Sequence, residues 1–190
     1  CADVPVINGL TELFHPCQAL ADVMTVEERL GRPVAGTVWS YLGDGNNMTH
    51  SLIQAGSVLG FDMRLATPKG YDADASVIAT ATAAGATVSQ HRDARDAVAG
   101  VDVVVTDTWV SMGQTDSAEK IAAMMPFQVN EALMQVAGPS SVFLHCLPAH
   151  RGEEATDGVL DGPQSAIWDE AENRLHIQKA ILLWCLGKLG

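Results

Sequence analysis

Positive charge is scarce in this sequence. Eleven Lys and Arg stand against 23 Asp and Glu, a net charge of −12. Nucleic-acid binding needs a basic stripe to neutralise phosphates, and none is present. No apolar run approaches the roughly 20 residues of a membrane span. The opening residues, Cys1-Ala2-Asp3-Val4-Pro5, lack the charged and apolar regions of a signal peptide. They also lack an initiator methionine, which suggests a processed or partial chain. Cysteine is confined to positions 1, 17, 146 and 185, with no Cys-x-x-Cys pair. A zinc or redox motif is therefore disfavoured, and a reducing cytoplasm is the expected setting. Aromatics make up only 5% of the chain.

What the chain does have is small and aliphatic. Of its 190 residues, 47% are hydrophobic, and mean hydropathy is +0.12. Such a mix suits parallel strands covered by helices and packed through small side chains. Strand signals fall at 36–42, 63–66, 87–89, 101–106 and 141–147. Helical signals fall at 14–30, 47–59, 75–84, 94–99, 117–125, 130–136 and from about 169 or 170 to 186, with Pro126 splitting two of them. Alternation of this kind predicts a single α/β domain: three layers, with a doubly wound parallel sheet between helices. No internal repeat, low-complexity segment or linker interrupts it.

Four motifs sit where such a fold places chemistry, at strand ends and helix starts. In His15-Pro16-Cys17-Gln18, proline suits the first helical position and puts His15 at the N-cap. His15 and Gln18, three apart, share a face. They could grip a small polar group, or His15 could simply cap the helix beside a solvated Gln18. Gly43-Asp44-Gly45-Asn46-Asn47 marks a strand-to-helix turn, but the third glycine of a dinucleotide fingerprint would fall on Met48. Its asparagines can cap the helix, or one can reach a substrate carboxylate or amide. Asp107, just past a β-branched strand, suits an ammonium ion. Ser111 adds a hydroxyl and Gly113 adds loop freedom, although an ordinary loop with Trp109 as core would look the same. His145-Cys146-Leu147-Pro148 places a thiol where an apolar run opens into a polar loop. A lone cysteine can equally be an inert buried thiol, and Arg174 can equally be a surface ion-pair residue.

In this order and spacing, over nearly the whole chain, these motifs resemble the ornithine-binding domain of ornithine carbamoyltransferases. The stretches at 14–22, 66–71 and 169–174 support the resemblance. It implies a Rossmann-like fold over residues 1–190 and transfer of a carbamoyl group from carbamoyl phosphate to the δ-amine of L-ornithine. Citrulline and phosphate would result, with no cofactor and no metal. Carried over residue by residue, it implies that His15, Gln18, Cys146, Leu147 and Arg174 hold the carbamoyl group, with Cys146, Arg174 and His15 at the reacting centre. It implies that Asn47, Asp107, Ser111 and Met112 hold the amino-acid end of ornithine, with Met112 acting through its backbone. His15 and Arg174 would supply donors to a tetrahedral oxyanion. Cys146 and the departing phosphate would manage the amine proton.

The resemblance also implies an incomplete site. The Ser-x-Arg-Thr-Arg phosphate motif of the family's N-terminal carbamoyl-phosphate domain is absent from these residues. That domain is an expected partner, and a homotrimer is the expected full assembly. Ile181, Leu182, Leu183, Trp184 and Leu186 would form an apolar patch. A non-catalytic amino-acid-binding module is the alternative, and retained Cys146 and Arg174 argue against it. A nucleotide-dependent oxidoreductase is disfavoured by the failed glycine fingerprint.

Overall fold

A computed structural model describes residues 3–110 and 117–189. Five strands form one parallel sheet: β1 (Val38–Leu42), β2 (Asp62–Ala66), β3 (Val88–His91), β4 (Val103–Thr106) and β5 (Val142–His145), in the order β3-β2-β1-β4-β5. The strands read as near-continuous apolar runs because both faces are covered. Alternate side chains feed two cores. Trp39, Tyr41, Met63, Leu65, Val103, Val105 and Leu144 face one layer, while Leu42, Ala66, Val104 and Phe143 face the other.

The first layer carries α1 (Pro16–Leu30), α2 (Asn47–Leu59) and α3 (Ala75–Ala83); the second carries α4 (Ala94–Val98), α6 (Glu131–Ala137) and α7 (Asp157–Leu160). Helix α5 (Ser117–Met124) runs into a 3-10 turn at Met125–Phe127, where Pro126 interrupts regular hydrogen bonding. Helix α8 (Ile167–Cys185) packs along α1 and beside β5. This is the doubly wound, three-layer arrangement that the alternating signals predict.

Element ends shift by one to a few residues from the sequence expectation, and three differences have a local reason. Strand β5 stops at His145 rather than 147 because Leu147 turns to φ 54°, a left-handed conformation that cannot continue a strand. Helix α8 starts two residues early. Residues 164–166 pair with β5 through Phe143 N–H to Gln164 O (2.8 Å) and Ala166 N–H to Phe143 O (2.9 Å), and Ile167 then buries. Helix α7 was not expected. One turn long, it carries too little periodicity to read.

Strand order reverses between β1 and β4. The carboxyl ends of β1, β4 and β5 therefore diverge around a crevice, the usual ligand position in open parallel sheets. Gly45 sits in the turn leaving β1. A Cβ there would lie 2.1 Å from Ala73 N, so only glycine allows the turn to lie against the 68–74 segment. Asn46 then caps α2, accepting from Met48 N–H (2.9 Å) and Thr49 N–H (3.3 Å). Of the expected apolar patch, Leu182 and Trp184 on α8 and Leu186 just past it stand exposed, while Ile181 and Leu183 are half-buried. No helix among the described residues is long and apolar enough to cross a membrane.

Candidate active site

A cleft of about 1050 Å³ opens at the crevice. His15, Asn47, Asp107, Cys146, Leu147 and Arg174 line it, so residues 159 positions apart in sequence share one wall. Gln18 lies behind that wall, 1% exposed, and reaches the cleft only through Arg174, whose guanidinium Nη1 donates to Gln18 Oε1. Ser111, Met112 and Gly113 lie outside the described residues.

His15 occupies the α1 N-cap, but its side chain caps nothing. Its backbone N–H donates to Ser51 Oγ (2.7 Å), and its buried Nδ1 has no partner among the described residues. Burial, helped by the positive charge of Arg174, pushes its pKa down, with Asp107 opposing. A neutral imidazole results, able to donate or accept one hydrogen bond without adding charge.

Asp107 is the polar hub of the floor. Its Oδ1 accepts from the Cys146 thiol (2.8 Å) and from Thr108 N–H (2.7 Å), while its Oδ2 accepts from Asn46 Nδ2 (2.7 Å). Asn46, offered by the sequence as a possible cap but not assigned to the site, is one residue that sequence reasoning left out of it. Its neighbour Asn47 lines the cleft and donates to Thr11 O (2.8 Å). An asparagine whose oxygen caps a helix and whose amide faces a strand-end carboxylate is the signal that was available.

Burial pushes the Cys146 thiol well up, and the neighbouring Asp107 carboxylate adds to the rise. In this arrangement the thiol donates to Asp107 and orients its carboxylate.

His145, despite its place in the motif, is buried and does not line the cleft. Burial lowers its pKa, and its Nδ1 accepts from Leu147 N–H (3.0 Å), shaping the turn that presents Cys146 and Leu147. Glu154, also buried, accepts from Trp109 N–H (3.3 Å), His150 N–H (2.7 Å) and the His150 ring (2.8 Å). It ties the loop after β4 to the loop after β5. Trp109 is core, fully buried.

Behind Arg174, Asp22 on α1 is fully buried, and burial pushes its pKa up to about 7 against the opposing pull of Gln18, Glu170 and Arg174. The folded state thus holds a proton that the unfolded chain releases near its ordinary value of 3.8. This contribution to stability is complete below about pH 4 and fades as pH rises through about 7. The urea midpoint of the chain should fall between about pH 5 and pH 8, and that of Asp22→Asn should fall less. Parallel slopes for the two would remove Asp22 as the source.

The geometry has clear counterparts. Residues 35–185 match the family described as aspartate/ornithine carbamoyltransferase, Asp/Orn binding domain, and residues 1–28 match its carbamoyl-P binding domain. The chain is 63% identical over 189 residues to the ornithine carbamoyltransferase of Rhizorhabdus wittichii, covering 100% of itself and 61% of that protein. It is 54% identical to the Caulobacter vibrioides enzyme of that name, over 98% of itself and 60% of the relative. Among solved structures, ornithine carbamoyltransferase from Pyrococcus furiosus superposes with a TM-score of 0.92 at 49% identity, over 100% of this chain and 62% of that one. Ornithine transcarbamoylase from Giardia lamblia gives 0.91 at 35% identity, over 100% and 65%. The chain spans about three fifths of the length of the relatives it matches. Matched by the family over residues 35–185 and similar in fold to these proteins, the chain belongs to the aspartate/ornithine carbamoyltransferase family.

Proposed function

We propose that this chain is the ornithine-binding part of a cytoplasmic ornithine carbamoyltransferase of arginine metabolism, transferring the carbamoyl group of carbamoyl phosphate to the δ-amine of L-ornithine. The observation that carries the reading is the meeting in one cleft of Asp107 with its Asn46 and Cys146 partners, His15, and Arg174 held by Gln18. Asp107 suits the ornithine ammonium, and Asn47 suits its amino-acid end, with Ser111 and Met112 assigned there by resemblance. Arg174 and His15, close enough to interact electrostatically, are assigned to the carbamoyl carbonyl by resemblance, as are Cys146 and Leu147 of the same cleft.

The chemistry follows from charge. A free alkylammonium has a pKa near 10.4 and must lose its proton before attack. The new N–C bond creates a tetrahedral oxyanion that the Arg174 and His15 donors stabilise. The C–O bond to phosphate then breaks. The ammonium gives up one proton to solvent before attack; with Cys146 already protonated, the second N–H proton, made acidic by the new N–C bond, leaves on the departing phosphate. No cofactor or metal enters these steps.

Phosphate binding is the unfilled requirement. A phosphate dianion calls for several cations or N–H donors, and Arg174 is the single Lys or Arg among the described cleft-lining residues. We therefore assign that role to a carbamoyl-phosphate domain of the kind found in the longer relatives, in an assembly that is a homotrimer.

The test is a chimera of the Rhizorhabdus wittichii relative in which this chain replaces the 189 matched residues. Citrulline formation from ornithine and carbamoyl phosphate by the chimera, and none by the 190-residue chain alone, is the expected result. A chimera that folds and trimerises yet carbamoylates aspartate rather than ornithine would overturn the substrate assignment. Substantial turnover by the chain alone would overturn the division of labour.

A further inference from the structure

Two carboxyl groups lie deeper than the cleft, 0% and 1% exposed: Asp22 on α1 and Glu170 on the first turn of α8. The Gln18 amide bridges them, its Nε2 donating to Asp22 Oδ1 (2.8 Å) and to Glu170 Oε1 (2.8 Å). Glu170 Oε2 accepts from the backbone N–H of His145 (2.9 Å), the residue before Cys146. The two carboxyl groups are also in hydrogen-bond contact with each other, and the buried Asp22 Oδ2 has no N–H donor among the described residues, so only a carboxyl proton can satisfy it. On the far side of Gln18, its oxygen accepts from Arg174, which can only donate. The orientation is therefore forced. Flipping the amide would set its oxygen against two carboxyl groups and its NH2 against a guanidinium.

Two full negative charges at this depth would carry a large desolvation cost that one amide cannot offset. Burial drives the Glu170 carboxyl well above the ordinary range, and the neighbouring Asp22 charge raises it further. The other charges that face the pair are Arg174, also on α8, and Asp107 at the end of β4. One negative charge on the pair and one positive charge on Arg174, with Gln18 between them, is the balanced state.

We propose that Asp22 and Glu170 hold a single proton between them and, as a singly charged pair, lock Gln18 with its oxygen toward Arg174, making Glu170 a positioning residue for the carbamoyl end of the site. Through His145 N–H the same side chain also fixes the strand end that presents Cys146. This role rests on the carbamoyltransferase reading for its catalytic consequence but not for the shared proton.

The two are separable by experiment. Infrared difference spectroscopy of the 190-residue chain at about pH 8 should show one protonated carboxylic acid band that is absent from Glu170→Gln. A fully ionised wild type would overturn the shared proton, whatever the enzyme does. In the chimera, Glu170→Leu should raise KM for carbamoyl phosphate and lower kcat, together about 100-fold in kcat/KM, with KM for ornithine unchanged. Glu170→Gln keeps the single charge and offers Asp22 a donor, at the cost of one of the two oxygens that accept from Gln18 and His145 N–H, and should recover activity to within about tenfold of wild type. A glutamine variant as impaired as the leucine variant, or equal loss for both substrates, would overturn the positioning role. If the parent chimera makes no citrulline, the functional reading fails, and the infrared result still decides the proton.

Discussion

Replacing Arg174 with methionine in the chimera is expected to lower kcat/KM for carbamoyl phosphate by about 10²–10³-fold, the loss typical of one preorganised donor to a developing oxyanion. Methionine keeps much of the side chain's length and apolar stem, so packing on α8 is little disturbed. What disappears is the only Lys or Arg among the described cleft-lining residues. The Gln18 oxygen also loses its donor, and that group is 1% exposed. A buried acceptor left unpaired costs about 1–3 kcal/mol, so some loss of stability should accompany the loss of rate. Lysine at this position separates the two effects. It restores the charge but not the planar fork that spans Gln18 and the cleft, and should recover only part of the rate. Steady-state kinetics of the three forms, with urea denaturation alongside, make the measurement. An Arg174→Met enzyme within threefold of wild type would place the oxyanion elsewhere.

The sheet was legible because its signal is local. Runs such as Val103–Thr106 and Val142–His145 are apolar up to their last residue, and their short length and β-branched or aromatic content favour a strand buried on both faces. The helix starts were legible for the same reason, Pro16 and Asn46 each acting within one turn. The cleft was legible in its lining residues, since strand ends and helix caps are one-dimensional positions. What escaped was everything that acts across the fold. Glu170 touches Gln18 from 152 positions away, and Glu154 reaches back to Trp109 across 45. An acidic residue in a helical first turn reads as a dipole partner on a surface, and nothing local marks it as buried. The Cys146 thiol could be read only as a motif residue, because its partner Asp107 lies just past another strand, and only the 2.8 Å contact joins the two.

That contact makes Asp107→Asn the second substitution with a large expected effect. Asp107 presents two acceptor oxygens to three donors: Cys146 Sγ–H, Thr108 N–H and Asn46 Nδ2. Asparagine must turn one oxygen into an NH2. Facing Asn46, that NH2 meets another NH2; facing the other side, it meets the Thr108 N–H. Asn46 cannot rotate to relieve the clash, because its own oxygen is committed to Met48 N–H, Thr49 N–H and the Tyr41 hydroxyl. The substitution therefore removes a charge that the ornithine ammonium needs and leaves donors unpaired around the site. A loss of about 2–4 kcal/mol follows, or about 30- to 1000-fold in kcat/KM for ornithine, with KM for carbamoyl phosphate much less affected. A second readout needs no turnover. The Cys146 thiol is held up first by burial and then by the Asp107 charge, so removing that charge must lower its pKa while burial remains. Alkylation of Cys146 by a small uncharged reagent, followed by mass spectrometry at about pH 8, should run faster in Asp107→Asn than in wild type. If ornithine kinetics collapse but alkylation does not accelerate, Asp107 binds substrate without controlling the thiol. If alkylation accelerates while ornithine binds normally, the ammonium lies elsewhere in the cleft, and Asp107 serves the cysteine alone.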